Sequence, residues 1–144
     1  MSTWETYKQT MVAPPTLASA ARENDVATVA VLLARGADIE GRDARGYSPL
    51  MLAAYGGHAE VFDYLLDRGA SPDGVDLAGN TILMGAAFKG HLAFVQRLLR
   101  DGADPHARNA SGLDARAFAL TFGRTEVVAL LDAWTQSHPL SRAV

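Results

Sequence analysis

The 144 residues contain no cysteine, which rules out disulfide staples, zinc–thiolate sites and a cysteine nucleophile together. Lysine is scarce as well: only Lys8 and Lys89 occur among 13 basic residues, a bias that, with abundant alanine, suggests a GC-rich bacterial genome. No run approaches the roughly 20 apolar residues of a membrane span, so no membrane association is expected. The opening stretch 1-MSTWETYKQTMVAPP-15 carries Glu5 and lacks the continuous apolar segment of a secretory signal. The expected location is therefore cytoplasmic, unless a leader was removed. A formal net charge of -3 and a pI near 5.7 leave no global positive field for a phosphate backbone. Nucleic acid is thus disfavoured as a partner, although a local basic patch stays open. What is present, 49% hydrophobic and 20% charged residues, is an ordinary globular composition with length for one domain.

The chain also repeats itself. The stretch 46-GYSPLMLAAYGGH-58 returns as 79-GNTILMGAAFKGH-91 and, more faintly, as 112-GLDARAFALTFGR-124. Gly36, Gly69 and Gly102 are each 33 residues apart, as are Leu32-Leu33, Leu65-Leu66 and Leu98-Leu99. The pattern extends back into 16-TLASAAREND-25 and predicts units near 12–44, 45–77, 78–110 and 111–136. Within one unit, Ser48 is an N-cap and Pro49 a first helical residue, where a missing N–H costs nothing. Leu50, Ala53 and Ala54 follow at helical spacing, and Gly56-Gly57 ends that helix. A second helix from near His58 places Val61, Phe62, Leu65 and Leu66 on one stripe and ends at Gly69. The segment 70-ASPDGVDLAGN-80 reads as a hairpin-like turn. Such a small helix pair cannot bury its stripe alone, so each copy must be the hydrophobic core of the next.

The stretch 46-GYSPLMLAAYGGHAEVFDYLLDRGAS-71 resembles the ankyrin repeat, and the resemblance spans about residues 12–143. It implies an all-α solenoid of four stacked helix-turn-helix units joined by hairpin-like turns. Two departures from the family pattern stand out. Where the family has histidine after Thr-Pro-Leu, this chain has Met51 and Met84, which read as apolar gap-fillers. Where the core leucine belongs in the last unit stands Arg116, expected to cap a face without a neighbour. Outside the single domain of residues 12–136, residues 1–11 form an arm with Ser2 and Glu5 at capping spacing before Trp4, Tyr7 and Met11. That arm could cap the stack or bind a partner. Residues 137–144 are expected to be loose.

Chemistry is sparse. His58 and His91 occupy the Gly-His position of the repeat, which gives them a structural role, and His106 and His138 fall in a turn and the tail. No His-Glu-x-x-His, phosphate-binding loop or dinucleotide-binding glycine pattern occurs. Asp73, Asp76, Asp101 and Asp104 lie in turns, where aspartate bonds to local backbone. No catalytic residue, metal or cofactor is expected.

Positions that change between units are free of stacking duty. In the family, turn tips and first-helix ends line a concave face that commonly binds proteins. The resemblance carries that role onto Arg42, Arg45, Tyr47, Tyr55, Leu77, Asn80, Phe88, Lys89, Arg108, Leu113 and Phe122. Aromatic anchors inside a charged rim suit protein recognition. The expected function is binding of another protein by a chain monomeric on its own, acting as adaptor, inhibitor or enzyme accessory. The rival readings are nucleic-acid binding through Arg42, Arg45, Lys89 and Arg108, and a hydrolase or metalloenzyme.

Overall fold

A computed structural model describes residues 13–139. The arm of residues 1–11 and residues 140–144 of the tail lie outside the described residues. Eight helices follow one another: α1 (Leu17–Arg22), α2 (Val26–Ala34), α3 (Pro49–Gly56), α4 (Ala59–Asp67), α5 (Ile82–Lys89), α6 (Leu92–Arg100), α7 (Ala115–Thr121) and α8 (Thr125–Ser137). Among the described residues there is no strand, only an isolated antiparallel bridge between Val75 and Thr81. The architecture is an all-α repeat solenoid.

The starts of the first helices follow from hydroxyl and carboxylate caps. Thr16, Ser48, Thr81 and Asp114 each accept a bond from a backbone N–H three residues on. Met51 and Met84 do more than fill gaps. The Ser48 N–H donates to Met51 Sδ at 3.5 Å and the Thr81 N–H to Met84 Sδ at 3.3 Å, so a thioether serves as the weak acceptor of a capping box. Helix α3 ends on Gly57 and α5 on Gly90, both left-handed. At the corresponding place after α1 stands Asn24, at φ 55°, the one non-glycine residue in that region among those described. Its Oδ1 accepts the Val61 N–H of the next unit at 3.2 Å, an inter-unit bond that glycine lacks.

Consecutive helices pair within each unit, and the pairs stack. The first helices α1, α3, α5 and α7 pack more closely on one another than the second helices do. Alanine makes this approach feasible: Ala20, Ala21, Ala53, Ala54, Ala86, Ala87 and Ala119 are all buried. The stack therefore curves toward its first helices. The second helices contribute the larger core groups, with Phe62 and Phe94 stacked at 4.2 Å between centroids and 15° between planes.

The connecting turns are hairpin-like, as their composition predicts. Asp43, Asp76 and Asn109 donate from their N–H to the carbonyl four residues on, at 2.9 to 3.0 Å. Each side chain also accepts two N–H groups across its own tip, which satisfies the turn from within. Turns are tied to their neighbours as well: Glu40 accepts the Ser71 N–H at 2.7 Å, and Asp73 accepts the Asp104 N–H at 2.9 Å.

The last helix pair departs from the others where nothing follows it among the described residues. Stepping 33 residues from Leu83 and Leu99 reaches Arg116 and Asp132. The two leucines are 1% and 2% exposed. Their charged replacements pair on the outer face through Arg116 Nε to Asp132 Oδ1 at 2.6 Å. The Asp132 carboxyl is held below its ordinary range by its hydrogen bond with that guanidinium. Helix α8 runs to Ser137, and His138 stacks on Trp134 at 3.8 Å.

Gly69 has φ 95°, and a Cβ built on it meets nothing within 4 Å. Gly69→Ala therefore carries only the left-handed backbone penalty of about 1–2 kcal/mol, with no steric addition. We expect a melting temperature lower by a few degrees. An unchanged melting temperature would contradict this helix end.

Candidate functional site

The positions that the resemblance assigns to a concave face are the turn tips and the ends of the first helices. The eleven positions expected there fall into three groups. Arg45, Leu77, Phe88, Lys89, Arg108, Leu113 and Phe122 are exposed, with Leu77 as much as 84%. Tyr47 and Tyr55 are half-buried and meet edge-to-face at 5.8 Å. Phe88 and Phe122 form a second such pair at 4.4 Å, and the Lys89 ammonium lies 5.9 Å from the Phe88 ring centre.

Arg42 and Asn80 belong to the third group, because each is bonded to a neighbouring turn. The Arg42 guanidinium donates to the carbonyls of Gly46 at 2.9 Å and Val75 at 2.7 Å, and to Met51 Sδ at 3.3 Å. It thus locks one turn to the next. Asn80 donates to Asp76 at 3.2 Å and accepts from Asn109 at 2.8 Å.

Two further residues shape this face although comparison of helix ends did not reveal them. The row 52, 85, 118 reads leucine, glycine, phenylalanine at a step of 33, a variation that was open to inspection. The Tyr55 ring lies over Gly85 so closely that a Cβ built there would be 2.1 Å from Tyr55 Cε1. This burial pushes the Tyr55 phenol above its ordinary value of 10.0. Beside that ring an apolar hollow of about 290 Å³ opens, walled by Tyr55, Met84, Phe88 and Phe118 over the Gly85 backbone. Asp76, Asn80 and Lys89 complete its lining.

Charge on this face is uneven. Asp43 and Asp76 point their carboxylates into turn N–H groups, and Asp43 also lies 3.6 Å from Arg22. Those backbone bonds, the Tyr47 N–H first, hold the Asp43 carboxyl below its ordinary range. Among the described residues, Arg45, Lys89 and Arg108 have no carboxylate within salt-bridge distance. Arg124 donates to the Phe88 carbonyl at 3.0 Å.

His91 and His138 lie against aromatic rings. His58 and His91 precede α4 and α6 without side-chain caps, and the His91 ring lies 5.1 Å from that of Phe94. Burial first, then the nearby Lys89 and Arg124 charges, lower the His91 pKa. Among the described residues, no group of three histidine or acidic side chains is placed to hold a metal ion, and no helix is long and apolar enough to cross a membrane.

A family model for ankyrin repeats, in three copies, matches residues 17–109. That span takes in α1 through α6 and the turns between them, and it stops short of α7 and α8. None of the curated proteins matches the chain.

Proposed function

This chain belongs to the ankyrin-repeat family, and from that premise we propose that it binds another protein through the inside of its curve, as an adaptor, inhibitor or accessory subunit. Ankyrin repeats are generally protein–protein interaction modules and typically non-catalytic. The observation that carries the reading is the exposure of Leu77, Phe88, Leu113 and Phe122 on one face, at positions the stack does not need. Basic residues surround them. The alternative of a nucleic-acid patch is weakened because Arg42 commits its Nη1 to the turns and the chain is acidic overall. The last helix pair, beyond the family match, serves in this reading as a terminal repeat whose Arg116–Asp132 pair keeps the outer face polar.

The test is affinity capture with the wild-type chain and with a Leu77→Ala, Phe88→Ala, Lys89→Glu variant of unchanged melting temperature. A protein retained by the first and lost by the second identifies the partner and the face. Phe88→Ala alone is expected to weaken that complex by about 1–3 kcal/mol. Equal capture by both chains removes the face from consideration.

A further inference from the structure

Gly85 sits inside an eight-residue helix. Glycine in that setting costs about 1 kcal/mol against alanine, so its presence calls for a packing reason. Part of the reason is Tyr55, whose ring occupies the place of a side chain. The ring does not fill the space, however. Leucine and phenylalanine occupy the same row at 52 and 118, and between Tyr55 and Phe118 the missing side chain leaves the apolar hollow of about 290 Å³. That volume lies at the low end of the roughly 300–1,000 Å³ of small-molecule pockets, which suits a single side chain better than a cofactor.

We propose that this hollow receives one aromatic side chain of the partner, and that the partner segment carrying it is acidic. The proposal rests on the concave-face reading and adds to it the chemistry of the ligand. A ring entering over the Gly85 backbone meets Tyr55, Phe88 and Phe118, which favour edge-to-face contact with a further ring. The flanking residues of such a segment then pass Lys89 at the lining and, on the other side of Tyr55, Arg45. Among the described residues neither cation has a carboxylate within salt-bridge distance, although the Arg45 charge helps lower the nearby Asp43. The carboxylates of Asp43 and Asp76, meanwhile, are turned into their own turns. Glu23, the exposed C-cap of α1, lies two units away from Lys89 in the repeat. The complement of unpaired cations around an apolar hollow is an anionic segment with one apolar anchor.

Three capped peptides of equal length test this on the full chain. One places a phenylalanine among glutamates, the second replaces it with alanine, and the third places phenylalanine among lysines. Amide shifts of Gly85, Lys89 and Phe118 are followed by NMR. The acidic phenylalanine peptide should move these amides, the alanine peptide should bind at least about tenfold more weakly, and the lysine peptide should bind more weakly than the acidic one. In the exposed-site variant Lys89→Glu the preference between acidic and basic peptides should narrow or reverse. Equal binding of the phenylalanine and alanine peptides overturns the anchor. Equal binding of the acidic and basic peptides overturns the charge assignment. No shift at Gly85 with any peptide at about millimolar concentration overturns the site itself. If the captured partner still depends on Leu77, Phe88 and Lys89 in that last case, the face stands and only the hollow is lost.

Discussion

Leu83→Arg is expected to abolish cooperative folding, whereas Arg116→Leu, at the equivalent place one repeat later, should leave the melting temperature nearly unchanged. Leu83 is 1% exposed, between α3 and α7 in the interior of the stack. Removing it forfeits about 1.5–3 kcal/mol of burial, and an arginine there buries a charge without a partner at a further cost of several kcal/mol. Together these approach or exceed the roughly 5–15 kcal/mol that holds a typical domain together. Arg116 pairs with Asp132 in the open, with both side chains close to half exposed, so its replacement breaks no buried contact. Circular dichroism with urea titration checks both. A cooperatively folded Leu83→Arg chain would mean that the first helices are not stacked as described. Adding Leu99→Asp to rebuild the terminal ion pair inside the stack should not restore folding, because desolvation of a buried pair outweighs its attraction.

Phe62→Ala is expected to lower unfolding free energy by about 3–5 kcal/mol. The ring is fully buried and stacks on Phe94, so its loss leaves a cavity between two units as well as losing apolar burial. A double-mutant cycle with Phe94→Ala should show about 0.5–1.5 kcal/mol of coupling from the ring pair. Because each repeat contacts only its neighbours, the cavity also weakens the interface through which the halves of the stack fold together. The unfolding transition should broaden, with a smaller denaturant slope than wild type. A loss below about 1 kcal/mol would place Phe62 outside a tightly packed core.

Much of this fold is readable from residue order. The step of 33, the Ser48-Pro49 start and the Leu65-Leu66 stripe lead to helix pairs that must stack, and the structure has them. The turn aspartates were also legible, since Asp76 bonding its own tip depends on residues two and four away. Met51 was legible as a replacement but not as an acceptor. Only the fold brings its sulfur to the Arg42 guanidinium, nine residues back.

By itself, the sequence determined whatever depends on spacing along the chain: which residues start and stop each helix, which stripe is apolar, and that each copy needs another to cover it. The reason is that caps, helical periodicity and turn bonds act within a few residues. The tertiary structure decided what depends on two units meeting. It made Arg42 a tie between turns, made Asn24 an inter-unit acceptor, and let Tyr55 lean over Gly85 to leave a hollow beside Phe118. Contacts between residues 30 or more positions apart are set by how closely helices approach, and alanine fixes that distance only once the stack has formed.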